Sequence, residues 1–148
     1  MIKPAIAIFL MSLFIFGCNN TVIDNTYKST DKEEHHHNDG PIVLDNGEKW
    51  KVDDNMMIHI QNMEIEINSF DSQNENDYNN LAKSIDNHLD LLTGNCTMKG
   101  QAHDELHKWL LPFLDLSEEF SASQTIEEFT TNFEKIKTSF ITFNTYFK

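Results

Sequence analysis

The amino-acid sequence predicts an all-α fold: an antiparallel up-down-up-down four-helix bundle, preceded by a short hairpin or extended strap and by a disordered tether. Two observations support this prediction. Four stretches repeat apolar residues at spacings of three and four, as amphipathic helices do, and short polar turns separate these stretches. Helices joined by short loops pack as antiparallel neighbours. We expect one bundle domain over residues 41–148, which is long enough for a single modest core.

The first two predicted helices follow residue 52. Acidic Asp53 and Asp54 suit the positive end of a helix dipole and favour a helix over a strand, although the apolar residues here also alternate as in a strand. The helical stripe consists of Met56, Ile60, Met63, Ile67 and Phe70. A turn over residues 69–76 follows, and Gly94 is the predicted stop of the second helix. The stripe of that helix consists of Tyr78, Leu81, Ile85, Leu89 and Leu92.

The last two predicted helices carry the larger apolar side chains. The third begins near Gly100, and Pro112 is expected to kink it, because proline lacks the amide donor and clashes with the preceding turn. Its apolar positions are Leu106, Trp109 or Leu110, Phe113 and Leu116. After a break over residues 121–124, Thr125 and Glu128 fit a capping box that starts the fourth helix. Its stripe is the most regular in the chain and consists of Phe129, Phe133, Ile136, Phe140, Phe143 and Phe147.

Residues 41–52 predict the hairpin or strap. Asn46 and Gly47 form the dipeptide most typical of tight hairpin turns, and short apolar runs flank it. We expect Trp50 and Val43 to cover one end of the core. Residues 19–40 are polar and lack apolar periodicity, which predicts a flexible tether.

The first residues have the layout of an export signal. Lys3 precedes an apolar run over residues 5–16 that is too short for a transmembrane helix. Residues 15–18, Ile-Phe-Gly-Cys, resemble the lipobox of bacterial lipoproteins, in which the cysteine is acylated, for example with palmitate, and becomes the first mature residue. The resemblance implies a signal peptide at residues 1–17, a lipidated Cys18 and a tether at residues 18–40. Asn19 favours the outer membrane, on its periplasmic or surface face. The alternative is an ordinary exported protein with an unmodified Cys18.

The composition limits the partners of this protein. The chain has no arginine and a formal net charge of −13, a balance that repels phosphate backbones and argues against nucleic-acid binding. Acylation of Cys18 would leave Cys96 as the sole remaining cysteine, so no internal disulfide is expected. The sequence contains neither a Gly-rich phosphate loop nor a nucleophile-turn motif. No clear general base lies beside the candidate metal ligands, and we therefore expect no enzyme activity.

The candidate functional site lies in residues 94–110, GNCTMKGQAHDELHKWL. His103 and His107 are four residues apart, so on a helix they share one face, with their Cβ atoms about 6 Å apart. Cys96 and Met98 lie in the loop that enters the same helix. A thiolate, two imidazoles and a thioether are the ligand types of copper sites, and without the thioether the set suits tetrahedral zinc with one open position. The spacing therefore predicts a copper or zinc site.

Other histidines extend this prediction. His88 continues the stripe of the second helix and is either a further metal ligand or a core-bordering residue with one nitrogen bonded to a carbonyl group. The tether contains a tract that is expected to collect metal loosely and to pass it to the folded site, and it consists of His35, His36 and His37.

The same residues also have a purely structural interpretation. Two histidines at this spacing occur by chance on many helices, and the segment lacks the His-Glu-x-x-His signature of metalloproteases. On this interpretation Asp104 only complements the positive end of its helix. Cys96 is then a small apolar residue, and Met98 fills the end of the bundle.

Two segments, LDNGEKWKV and CTMKGQAHDELHKWL, together with the histidine tract after Cys18, resemble those of a group of small, uncharacterised, His-rich bacterial lipoproteins. The resemblance covers most of the predicted bundle domain. It implies membrane anchoring and a shared motif at residues 96–110, and it implies no mechanism.

The predicted function is that of a membrane-anchored envelope lipoprotein that buffers, senses or transfers copper or zinc. Two alternatives stay open. One is a helical interaction module that docks a partner envelope protein through its Phe-rich last helix or an exposed loop. The other is noncovalent haem binding through His88, His103 or His107.

Overall fold

The computed structural model describes residues 40–148. This part of the chain forms four helices: α1 (Asp54–Ser69), α2 (Glu75–Gly94), α3 (Gln101–Ser121) and α4 (Ile126–Tyr146). Helix α1 packs on α2, α3 packs on α4, and α2 also contacts α3, which confirms the predicted all-α four-helix bundle. The predicted signal peptide, the lipidation site Cys18 and the tether up to residue 39, including its histidine tract, lie outside the described residues.

The four predicted apolar stripes form one continuous core. Both Trp109 and Leu110 are buried, whereas Phe70 and Leu116 are only partly buried at its edge. Aromatic rings fill much of the space between α3 and α4: the ring centroids of Trp109 and Phe113 lie 4.9 Å apart, and those of Trp109 and Phe143 lie 4.8 Å apart. No helix within residues 40–148 is long and apolar enough to span a bilayer.

The ends of α3 and α4 follow the local sequence. The amide of Glu128 donates to the Thr125 hydroxyl at 3.2 Å and the Glu128 carboxylate accepts from the Thr125 amide at 3.2 Å, so the predicted capping box is confirmed. Helix α3 runs through Pro112 without interruption.

Residues 40–53 form a strap across one end of the bundle. Asn46 and Gly47 have φ values of 50° and 93°, the left-handed conformation of a tight hairpin turn, and the backbones of Asp45 and Glu48 exchange two hydrogen bonds of 2.9 Å around it. The strap is therefore a tight turn followed by extended chain, in line with the sequence.

The second half of the strap pairs with the end of α4. The Trp50 amide donates to the Tyr146 carbonyl at 2.8 Å, the Lys148 amide donates to the Trp50 carbonyl at 2.8 Å, and the Val52 amide donates to the Lys148 carbonyl at 2.9 Å. Trp50 and Val52 are buried and close this end of the core.

The prediction that Val43 helps to cover the core is wrong, because its side chain is 46% exposed. Val43 contributes to the fold through its backbone instead. The Val43 amide donates to the Glu105 carboxylate at 3.0 Å, and the Val43 carbonyl accepts from the Trp50 indole at 2.6 Å. With both backbone groups directed inward, the side chain faces solvent.

Candidate metal site

The predicted histidine pair lies on the first two turns of α3. Gly100 precedes the helix with a φ of 69°, a left-handed conformation that glycine adopts without steric cost, and its carbonyl accepts from the amides of His103 and Asp104 at 3.0 and 3.1 Å. This turn directs His103 and His107 to one flank of α3. Their ring centroids are 4.0 Å apart, and both side chains are half-buried.

The loop with the predicted sulfur ligands is fastened to α1. The Thr97 hydroxyl donates to the Asp53 carboxylate at 2.7 Å, and the Asn55 amide group donates to the Asn95 carbonyl at 2.7 Å. Met98 is buried in the core, so its thioether serves packing. Cys96 is a free, partly buried cysteine that packs against the edge of the core.

The structure brings together only part of the predicted constellation. In the described range no three His, Cys, Asp or Glu side chains lie close enough to share one metal ion. His103 and His107 contact each other, and the Cys96 thiol does not complete a three-ligand group with them. The described residues therefore offer a pair of imidazoles at this position.

His88 lies on the flank of α2 that faces away from α3, the helix that carries His103 and His107. Asp86 faces α3, where its carboxylate accepts from the hydroxyls of Ser117 and Ser121 at 2.9 and 2.8 Å. Residues two apart on an α-helix are rotated by about 200°. His88 accordingly faces α1, where it contacts His59, and the structure does not bring it to the α3 pair.

A second group of polar side chains consists of His88 and its two partners, His59 and Glu66. The sequence analysis assigned no role to His59. The Nδ1 atoms of His59 and His88 are 3.2 Å apart, and the Nε2 atom of His88 is 3.6 Å from Oε1 of Glu66. The contact depends on the register between α1 and α2: His59 lies 10 residues before the end of α1, and His88 lies 13 residues after the start of α2. Because this difference is close to one helical turn, spacing from the turn between the helices does not predict the contact.

Glu105 is the other polar residue whose role the sequence did not reveal. It is buried on α3, two residues from each histidine of the pair and so on a different face of the helix, and its carboxylate contacts the Lys108 ammonium group at 2.7 Å. The same carboxylate accepts from the Val43 amide at 3.0 Å, and Lys108 also donates to the Pro41 carbonyl at 3.4 Å. This ion pair therefore holds the strap and does not face the imidazoles.

The alternatives to metal binding involve other parts of the bundle. The Phe-rich stripe of α4, which would offer itself to a docking partner, is buried in the core. The three histidines of the haem alternative lie half-buried on the flanks of α2 and α3. The chain matches no protein-family model, no curated protein and no solved structure.

Proposed function

We propose that the protein is a lipid-anchored protein of the cell envelope that binds copper or zinc exchangeably, for buffering, sensing or transfer. The observation that carries this proposal is the contact between His103 and His107, two half-buried imidazoles on one flank of α3. Imidazole nitrogens suit both metals. The net charge of −13 raises the local concentration of cations around the chain.

The number of ligands favours exchange over permanent retention. Structural zinc sites use four protein ligands and catalytic sites use three, whereas the α3 pair supplies two within residues 40–148. Solvent, or the histidine tract predicted to bind metal loosely, would supply the rest. Because the two rings are already in contact, an ion enters between them when one ring rotates about its side-chain bonds.

Metal binding is tested on the full chain, purified without a nickel column and with the three tract histidines replaced by alanine. Calorimetry with Zn²⁺ and with Cu⁺ should show binding that His103→Ala and His107→Ala each weaken at least tenfold, because loss of an outer-shell partner alone costs about 10- to 100-fold and loss of a ligand costs no less. Asp104→Asn is the matched control, because it removes a charge from the same turn and leaves both imidazoles. Equal affinity in all these variants would contradict the proposal.

The thiol needs its own variant. Because Cys96 does not belong to a three-ligand group in the described part of the chain, we expect Cys96→Ser to keep zinc binding by the imidazole pair. A tenfold or larger loss in this variant would show that the thiol moves to the ion, as the spacing in the sequence predicts. Elemental analysis of the freshly purified chain then identifies the metal that the protein carries.

Anchoring is tested independently of the metal. Cells grown with a labelled palmitate analogue should incorporate it into the wild-type chain, and Cys18→Ala should lose both the label and the recovery in the membrane fraction. Membrane recovery of unlabelled Cys18→Ala would contradict acylation as the anchor. Separation of inner and outer membranes then tests the location that Asn19 favours.

A further inference from the structure

We propose that His59 and His88 form a second metal site, at the interface of α1 and α2, which takes Zn²⁺ or a similar divalent cation between their Nδ1 atoms, with Glu66 behind His88. The site shares no ligand with the α3 pair. Asp86 contacts α3 whereas His88 contacts His59 of α1, so α1 with His59 and the helix that carries His103 and His107 lie on opposite flanks of α2.

The separation of the two nitrogen atoms fits a shared metal ion. Zinc binds imidazole nitrogen at about 2.0–2.1 Å in tetrahedral geometry, which places two nitrogen ligands of one ion about 3.3 Å apart. The Nδ1 atoms of His59 and His88 are 3.2 Å apart. Their ring centroids are 5.5 Å apart and the ring planes are inclined by 47°, so the rings diverge from this point of closest approach. An ion about 1.3 Å from the line between the two atoms satisfies both bonds.

Glu66 supplies the outer part of such a site. A histidine that binds metal through one nitrogen usually directs the other ring N–H at a carboxylate, which fixes the tautomer and strengthens the ligand. Nε2 of His88 faces Oε1 of Glu66 at 3.6 Å, an ion-pair distance. The other oxygen, Oε2, is buried and has no hydrogen-bond partner within residues 40–148. A cation held by His88 would offset the cost of this half-satisfied carboxylate.

The facing nitrogens define the change that metal binding must produce. Without metal, a hydrogen bond between two Nδ1 atoms requires a proton on one of them and a lone pair on the other. Glu66 favours the proton of His88 on Nε2, so His59 is the Nδ1–H donor. A shared ion needs both Nδ1 lone pairs, and His59 must therefore move its proton to Nε2. The metal form and the hydrogen-bonded form thus differ in one observable tautomer.

The sequence allows a clean experiment, because the chain has seven histidines. In the full chain we retain His59 and His88. The other five are replaced with alanine: His35, His36, His37, His103 and His107. Zn²⁺ is titrated by calorimetry, and the tautomers are followed by long-range ¹H–¹⁵N correlation spectra of the imidazole rings. Far-ultraviolet circular dichroism checks that each variant keeps its helices.

We expect one Zn²⁺ per chain, with a dissociation constant in the micromolar range because solvent completes the coordination. His59→Ala and His88→Ala should abolish binding, and so should His88→Asn, which keeps a hydrogen-bonding group without an imidazole. Glu66→Gln should weaken binding by about 10- to 100-fold at unchanged stoichiometry. Glu64→Gln is the matched control on the same helix, since the Glu64 carboxylate accepts from the Asn144 amide group instead. The His59 signal should change to the Nε2–H tautomer.

Three results would overturn the proposal: no saturable binding up to about 1 mM Zn²⁺, binding that survives in His88→Asn, or a His59 tautomer that zinc leaves unchanged. The pair would then be only an interhelical hydrogen bond. The outcome is separate from that of the proposed function, because this chain lacks His103 and His107, so that its zinc binding comes from His59 and His88 alone. In the chain that tests the α3 pair, His103→Ala and His107→Ala remove only the binding by that pair. Either site can fail without the other.

Discussion

Replacement of Glu105 by alanine tests the ion pair that holds the strap. The change removes the carboxylate that contacts the Lys108 ammonium group at 2.7 Å and that accepts from the Val43 amide at 3.0 Å. The side chains of Glu105 and Lys108 are only 5% and 11% exposed, so water cannot readily replace the lost partner. The variant therefore leaves a mostly buried positive charge without its counter-charge.

The magnitude follows from this burial. Removal of one partner from a buried ion pair costs about 3–5 kcal/mol, and the small residual exposure of Lys108 places the cost near the lower end, at about 3 kcal/mol. In a domain of this size that loss lowers the melting temperature by about 15 °C. Glu105→Gln keeps an acceptor for Val43 and should cost about 1–2 kcal/mol. Glu105→Met combined with Lys108→Met leaves no unpaired charge but still removes the acceptor of the Val43 amide, and it should cost about 1–2 kcal/mol, less than Glu105→Ala.

Urea unfolding of the full chain, followed by circular dichroism, measures the free energy of unfolding of all four proteins. The decisive comparison is between the single and the double variant. The reasoning is refuted if Glu105→Ala costs less than about 1 kcal/mol, or if the double variant is as unstable as Glu105→Ala. The first result would mean that the pair is solvated, and the second that the loss comes from the Val43 amide and not from the unpaired ammonium group.

Three further predictions use the same urea assay. Phe113→Ala should lower the free energy of unfolding by about 3–5 kcal/mol, because this ring is fully buried. Ile141→Ala, at a side chain 68% exposed, should change it by less than about 0.5 kcal/mol. Equal effects of the two variants would contradict the assigned core. Asp86→Ala removes the carboxylate that accepts from the Ser117 and Ser121 hydroxyls, and it should lower the free energy of unfolding by about 1–2 kcal/mol. Asp86→Asn keeps one acceptor oxygen and should lose less of this stability. Thr125→Ala should cost about 1 kcal/mol through loss of the capping box, and an unchanged unfolding midpoint would show that the cap is dispensable.

The helices were predictable because their signals are local. The spacing of Phe129, Phe133 and the residues that follow can place them on one face only if the segment is helical, and all of this stripe is buried. In α1 the strand-like alternation was misleading. Ile58 and Ile65, which made the segment alternate, are 55% and 65% exposed, so they belong to the outer face of a helix.

The contacts between elements were less predictable, because they depend on distant parts of the chain. Glu105 is buried since an extended strap 62 residues earlier presents an amide to it, and no local pattern signals such a partner. The role of His59 depends on the register between α1 and α2, which a stripe of apolar residues does not fix. For the same reason the spacing of Cys96 and the α3 histidines along the chain predicted a shared metal site, whereas the two imidazoles contact each other and no three such side chains within residues 40–148 lie close enough to hold one ion.

The pairing of the strap with the end of α4 also determines how the bundle bears a mechanical load. Tension applied at residue 40 reaches first the contact between the Pro41 carbonyl and Lys108, and then the bond between the Val43 amide and Glu105. The tension then reaches the backbone hydrogen bonds that join Trp50 and Val52 to Tyr146 and Lys148. Because these bonds lie side by side along the strap, a pull along the strap loads them together in shear and does not open them one at a time. Helix α1 begins only beyond them, and the core is therefore shielded from a pull at that end of the domain.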